Sequence, residues 1–354
     1  MANTVLMKGN EALAEAAIAA GCRHYFGYPI TPQTEIGAYL AKRMPEVGGV
    51  FLQAESEIAA IHMVYGASCA GKRAMTSSSS PGISLKSEGL SYLAGSDLPA
   101  LVVNVQRAGP GLGGIQPAQA DYFQATRGGG HGDFRNIVLA PASAQEMYSL
   151  TLRGFDLADR YNMTAMILAD GTIGQMMEQV TLESAEPSTV DKPWALTGTR
   201  CEREKRVITS LYLSPTELEE KNLSRFARYK LVEERETDFE SYCMEDAEIC
   251  LVAYGIAARV SRSAVAMARE KGIRVGLIRP ITLWPFPSEA LLQAAGHVRQ
   301  FLSVELSMGQ MIQDIELAIR CRRPVSLVSR VGGMIPAPEE VLATIERAAK
   351  GETL

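Results

Sequence analysis

The sequence predicts an α/β protein, with a doubly wound parallel sheet in the first half of the chain and a smaller α/β unit at the end. Three observations predict it. Short apolar or β-branched runs bounded by turn residues alternate with longer helical stretches. The strand-like runs are apolar nearly throughout, as expected of parallel strands covered on both faces. The alternation is interrupted once by a segment dense in both signs of charge and then resumes. The expected units are 1–185, a charged linker or arm over 186–246, and 247–354.

The N-terminal "MANTVLMKGNEALAEAAIAAG" reads as an alanine-rich amphipathic helix, and Glu11 and Glu15 within it exclude a secretory apolar region. Strands follow at "CRHYFGYPI", "GGVFLQAE", "RAMTSSSS", "LPALVVNVQR", "RNIVLAP" and "TAMILADG". Helices between them include "IAAIHMVYGASCAG" and "AQEMYSLTLRGFDLADRY", closed by glycine or a polar turn. In "FGYPITPQTE", Pro29 and Pro32 flank Ile30 and Thr31. Proline fixes its own φ and keeps the preceding residue extended, so Pro32 reads as the first residue of a helix with Thr31 as its N-cap. The free N–H groups of that helix start could hold an anion, although a well-made strand-to-helix loop explains the same residues.

"CEREKR" and "ELEEKNLSRFARYKLVEERETDFESY" fit a single charged helix, either a solvated linker or an arm lying on a partner. Beyond it, "AEICLVAYG", "IRVGLIRPITLWPF", "VRQFLSVEL" and "RPVSLVSRVGG" read as strands, with "ARVSRSAVAMAREKG" and "MIQDIELAIR" as helices.

Bulk properties narrow the function classes. The 354 residues are 47% apolar and 21% charged, an ordinary globular composition for about two domains. A net charge of −5 argues against nucleic acid or a membrane surface as partner, and no apolar run is long enough to span a bilayer. A cytoplasmic protein with reduced, mostly buried thiols is expected. The cysteines at 22, 69, 201, 243, 250 and 321 and the histidines at 24, 62, 131 and 297 form no zinc or iron–sulfur signature, so any redox metal belongs to another chain.

Three strand ends carry candidate chemistry. In "FLQAESEIAA", Ser56 is a candidate N-cap and Glu57 falls in the first helical turn, at the sheet edge where α/β folds build sites. A glutamate there also serves simply as a partner of the helix dipole. "TSSSSPGISL" offers hydroxyls that could line a polar pocket, as serine-rich turns often do without any function. "VVNVQRAGPGLG" ends a strand at Arg107 and continues into a glycine-proline loop, which suits capture of a carboxylate under a closing loop or an ordinary surface arginine. Together they suggest a small pocket that recognises an anion.

"MKGNEALAEAAIAAGCRHYFGYPITPQTE", "FLQAESEIAA", "TSSSSPGISL" and "VVNVQRAGPGLG" resemble the α subunit of the 2-oxoacid:ferredoxin oxidoreductases, and most nearly the branched-chain type acting on 3-methyl-2-oxobutanoate. The resemblance spans essentially the whole chain. It implies a pyrimidine-binding domain for thiamine diphosphate, followed by a domain like the transketolase C-terminal one. It also implies oxidative decarboxylation of a 2-oxoacid, with CoA as co-substrate and ferredoxin as acceptor.

By the same resemblance Glu57 is the carboxylate that hydrogen-bonds N1′ of the aminopyrimidine, with Glu55 as runner-up. A carboxylate is needed there because a proton on N1′ lets the 4′-nitrogen take the proton from thiazolium C2. Thr31 and Arg107 fall beside the 2-oxo acid group, and Pro29, Ile30 and Ser80 beside the cofactor. No metal ligand is expected. The GDG sequence that thiamine enzymes use for Mg²⁺ and diphosphate does not occur; "ADGT" at 169–172 and "HGDF" at 131–134 are fragments of it. The resemblance therefore implies a β subunit that binds diphosphate and Mg²⁺, further γ and ferredoxin-like δ subunits or domains, iron–sulfur clusters on partner subunits, and a dimer of hetero-oligomers. A 2-oxoglutarate-type subunit and a non-catalytic α/β assembly module are the rival readings.

Overall fold

A computed structural model of the chain describes residues 3–183 and 190–352. In chain order the first part runs β1 (Asn3–Lys8), α1 (Gly9–Ala19), β2 (His24–Gly27), α2 (Thr34–Glu46), β3 (Val50–Gln53), α3 (Glu57–Cys69), β4 (Ala74–Ser78), α4 (Pro81–Leu85) and α5 (Ser87–Gly95). It continues with β5 (Ala100–Gln106), α6 (Tyr122–Thr126), β6 (Ile137–Leu139), α7 (Ala144–Tyr161), β7 (Thr164–Asp170), α8 (Gly171–Gln175) and β8 (Met177–Leu182). The remainder comprises α9 (Pro215–Glu236), β9 (Phe239–Tyr242), β10 (Ile249–Val252), α10 (Gly255–Glu270), β11 (Val275–Pro280), β12 (Thr282–Trp284), α11 (Ser288–Ala294), β13 (Gln300–Glu305), α12 (Met311–Ala318), β14 (Val325–Ser329) and α13 (Pro338–Ala349).

All six strands read in the first part form, in the order β6-β7-β5-β4-β2-β3, a parallel sheet, with β12 added antiparallel beside β6. β4, β5 and β7 are buried along their whole length, which is why their sequences do not alternate. Right-handed crossovers put α2 and α7 on one face and α3 and α5 on the other. Packing agrees: α1 lies against both α2 and α7, and α3 against α5.

Several elements differ from expectation. The N-terminus is not one amphipathic helix, because residues 3–8 form β1, paired antiparallel with β8. α1 then has no solvent face: its alanines, Leu13 and Ile18 are buried between α2 and α7, apart from the half-buried Ala19. α2 begins at Thr34 with Gln33 as N-cap, so Thr31 is not the cap and Pro32 is not the first helical residue. The Pro32 carbonyl instead accepts Asn10 Nδ2 at 2.8 Å and Gln175 Nε2 at 2.9 Å, which removes it from the helix ladder.

The second sheet has the order β14-β13-β10-β11-β9, parallel except for β9. The run "IRVGLIRPITLWPF" is not one strand: it divides after Pro280, β11 staying in this sheet and β12 crossing to the larger one. Likewise β9, within the expected arm, belongs to the second sheet. The expected boundary at 185/186 lies outside the described residues. α9 is the helix expected in the charged arm, but one face of it is buried on its own chain rather than solvated. Val232 and Tyr229 are buried, Tyr229 edge-on to Trp284, and Arg225 pairs with Asp97 at 3.0 Å.

All six cysteines are free, and only Cys22 and Cys250 are fully buried. The expectation of mostly buried thiols is therefore not met: Cys69 and Cys243 are half-buried, and the other two are at the surface. Cys201 and Cys321 sit exposed at positive φ in turns.

Candidate active site

The order of the larger sheet reverses between β2 and β4. The chain leaves β2 for α2 on one face and leaves β4 for α4 and α5 on the other, and the crevice beyond such strand ends is where open α/β sheets take ligands. The four strands β5-β4-β2-β3 are neighbours here, so the corner at 28–33, Glu57, the serine turn and Arg107 arrive at one edge. A buried hydrogen-bond chain fastens the corner to β4: Tyr25 Oη lies 2.8 Å from Ser77 Oγ, which donates to Gln33 Oε1 at 2.6 Å.

Ser56 caps α3 as its sequence predicts, accepting Ala59 N at 3.2 Å, and this sets Glu57 in the first turn. Glu57 is only 6% exposed, yet its carboxylate has neither a hydrogen bond nor an ion pair among the described residues. Gly82 makes room for it, since a Cβ there would stand 2.6 Å from Glu57 Oε1 and 2.0 Å from Ser78 Oγ. Glu55 is exposed on the preceding turn.

Arg107 is 7% exposed and has no carboxylate partner among the described residues. Nη1 donates to Thr31 O at 3.0 Å and Nη2 to Leu112 O at 3.2 Å, while Nε is buried without a partner. Its backbone is held by Ser80, whose Oγ accepts Arg107 N at 3.0 Å and lies 2.6 Å from Asp121 Oδ2. Asn104 supports the same turn, its Oδ1 accepting Ser80 N and its Nδ2 donating to Asp121. Burial pushes the Asp121 carboxyl up, against the Ser80 and Asn104 hydrogen bonds.

The structure therefore joins Thr31, Arg107 and Ser80 by direct contact, and brings Glu57 to the same serine turn through Gly82 and Ser78. Thr31 is exposed and lines a cavity of about 550 Å³ with Pro32, Ile115, Gln116 and Thr172. Pro29 lines a separate cleft of about 230 Å³ on the other side of the corner, with Tyr28, Phe51 and Gln53. Among the described residues no hydrogen bond ties Pro29 or Ile30 to Glu57.

Sequence reading missed Lys86, Asn104 and Asp121. Lys86 is fully buried, and its Nζ donates to Glu57 O at 3.3 Å. Burial pushes its ammonium down to about 8, and the Glu57 charge opposes that shift. The available signal was positional, because Lys86 stands at helical spacing between Ile83 and Leu90, both core residues.

Residues 15–237 match the family described as pyruvate flavodoxin/ferredoxin oxidoreductase, thiamine diphosphate-binding, and residues 247–341 match pyruvate:ferredoxin oxidoreductase core domain II. The chain belongs to this oxidoreductase family.

Among relatives, the ketoisovalerate oxidoreductase subunit VorB of Methanothermobacter marburgensis is 53% identical over 98% of this chain and 98% of its own length. The 2-oxoglutarate synthase subunit KorA of Methanothermobacter thermautotrophicus is 35% identical, over 98% of this chain and 99% of its own length. A solved 2-oxoglutarate:ferredoxin oxidoreductase from Magnetococcus marinus, with 2-oxoglutarate, coenzyme A and succinyl-CoA bound, superposes with a TM-score of 0.86 at 29% identity. It covers 98% of this chain, which spans 65% of the length of that one. A split-gene transketolase, at 14% identity and a TM-score of 0.59 over 98% of this chain and 97% of its own, shares the fold.

The family's cofactor suits the residues present. Besides the unpartnered Glu57 carboxylate, Ser78 Oγ, Ser79 Oγ and Arg107 Nε are buried without partners, and Gly82 keeps the wall in front of Glu57 open. Buried polar groups are ordinarily bonded, so this cluster of open ones marks a place for a polar ligand. Among the described residues no helix is long and apolar enough to cross a membrane.

Proposed function

We propose that this oxidoreductase subunit holds the aminopyrimidine of thiamine diphosphate and acts, with partner subunits, in the CoA-dependent oxidative decarboxylation of 3-methyl-2-oxobutanoate with ferredoxin as acceptor. The observation that carries this is that Glu57, after β3, and Arg107, after β5, are buried at one end of the larger sheet with no ion-pair partner among the described residues. Left without a ligand each costs desolvation energy; a protonated ring nitrogen at Glu57 and a substrate carboxylate at Arg107 would satisfy both.

Glu57 would hold the aminopyrimidine at N1′ and share a proton with it, and Gly82 leaves the carboxylate clear to do so. The two carbonyls that hold Arg107 keep its guanidinium fixed, so little ordering is lost when the substrate carboxylate docks. The cofactor supplies the attacking carbon and the electron sink for loss of CO₂. Thr31 belongs beside the oxo group, and Pro29, Ile30 and Ser80 around the ring, with no metal held by this chain.

The cavity at Thr31 has no cation suited to the distal carboxylate of 2-oxoglutarate. Among the residues that line it the charged one is Glu35, a carboxylate already paired with Lys8 at 3.0 Å. The VorB relatives point the same way.

Diphosphate and Mg²⁺ belong to a β subunit, because the sequence contains no GDG, and the iron–sulfur clusters belong to partner subunits, because its cysteines form no cluster signature. Val50 and Leu52 on the edge strand β3, with Tyr28, Ile58 and Leu85 nearby in the chain order of the site, are exposed apolar residues suited to burial under such a partner. Co-expression with the partner subunits and anaerobic assay over a panel of 2-oxoacids tests the reading. 3-Methyl-2-oxobutanoate should be the better substrate, and preferential turnover of 2-oxoglutarate overturns the assignment.

A further inference from the structure

A lysine with no exposed surface is unusual in any core, and this one lies against the head of the helix that carries Glu57. α3 and α5 approach closely one turn further on, where a Cβ on Gly89 would stand 2.5 Å from Ile61 Cγ2. That close packing brings the side chain of the residue preceding α5, Lys86, to Glu57 O at 3.3 Å, the one hydrogen bond of its ammonium among the described residues. The ammonium lies beyond ion-pair distance from the Glu57 carboxylate but within its field.

Other charged groups around these elements are turned to other partners or to solvent. Glu88 on α5 is exposed and accepts Tyr92 Oη at 2.6 Å. His62 on α3 and His131 are exposed and flank the Tyr92 ring, and Glu55 is exposed. Glu57 is the charged group that acts on the Lys86 ammonium.

We propose that Lys86 is a positioning residue for Glu57: it grips the first carbonyl of α3 and sets a buried counter-charge behind a carboxylate that has no other partner. The functional half of this rests on the reading of Glu57 as the residue that meets the cofactor; the electrostatic half does not. Burying a charge without an opposite charge near it costs free energy, and Lys86 is the cation whose field reaches this carboxylate. Lys86 fixes the start of α3, and with it the place of the carboxylate, without blocking it by direct pairing.

The test uses the full-length chain assembled with its partner subunits. NMR of ¹³Cε-labelled lysine, assigned by the signal missing in Lys86→Met, should show Lys86 titrating well below the ordinary lysine range. Glu57→Gln should lower that midpoint further, because removing a neighbouring negative charge disfavours the cation. A midpoint unmoved by Glu57→Gln overturns the coupling, whatever Glu57 does in catalysis. In steady-state assays Lys86→Met should lower kcat roughly 10- to 100-fold, as loss of a supporting contact does, with KM for the 2-oxoacid little changed. Its effect should vanish in the Glu57→Gln background. Independent, multiplicative losses in the double variant overturn the positioning role. A coupled titration with full activity in Glu57→Gln would instead leave the electrostatic pairing standing and remove the catalytic reading of Glu57.

Discussion

Gly82 and Glu57 are twenty-five positions apart and so close in space that a single methyl group on Gly82 would stand 2.6 Å from Glu57 Oε1. The same methyl would meet Ser78 Oγ at 2.0 Å. Gly82→Ala should therefore displace the carboxylate or the serine turn, at an overpacking cost of roughly 1–3 kcal/mol. Activity should fall much further than the melting temperature does; parallel assay and calorimetry of the assembled enzyme measure both. Unchanged turnover would mean that the wall in front of Glu57 is not part of the site.

Glu57→Gln keeps the shape of the side chain and its place after the Ser56 cap, but cannot exchange a proton with a ring nitrogen. Turnover should drop by about 10²–10⁴-fold, the usual contribution of a positioned acid–base group. Folding and assembly should survive, as checked by size-exclusion chromatography. Near-normal activity with cofactor bound would transfer the role to Glu55.

Arg107→Lys keeps the charge and loses the fork. A lysine cannot donate at once to Thr31 O and Leu112 O and still present a flat pair of donors to a carboxylate. The loss should appear as a roughly 10- to 100-fold fall in kcat/KM for 2-oxoacids with KM for CoA little changed. Equal losses for both substrates would indicate a general loop defect.

Lys86→Met should be at least as stable as the parent at neutral pH. The folded chain holds this ammonium at about 8 against an ordinary 10.5, so between those values the unfolded chain binds the extra proton and parental stability rises with pH. Below about 8 the cost of burying the charge is present in full, on the order of 3 kcal/mol before the lost hydrogen bond is counted. Melting scans of parent and variant from pH 7 to 10 should show the advantage of the variant shrinking as pH rises. An advantage constant across that range would contradict a titrating Lys86.

Much of the site was legible because its signals are local. A serine before a helix start caps it, so Ser56 and Glu57 could be placed without any knowledge of the rest of the chain. The strand ends at Gln53, Ser78 and Gln106 follow from short apolar runs closed by polar turns, and right-handed crossovers then leave few orders for the sheet. The wording around Thr31, Glu57 and Arg107 identified the family.

Only the tertiary structure decided what depends on residues far apart in sequence. α2 starts at Thr34 because Asn10 and Gln175 take the Pro32 carbonyl, and no reading of the proline pair alone contains either residue. Residues 3–8 form a strand because β8, some 170 positions later, is there to pair with them. "IRVGLIRPITLWPF" divides because two sheets compete for one run, and β6 has a free edge for its second half. Sequence reading did not single out Lys86; the packing of α5 on α3 through Gly89 and Ile61 is what sets its ammonium against the carbonyl of Glu57. Caps, turns and apolar runs are written in neighbouring residues. The neutralisation of a buried charge is a property of whichever groups the fold brings together, and there the sequence by itself is silent.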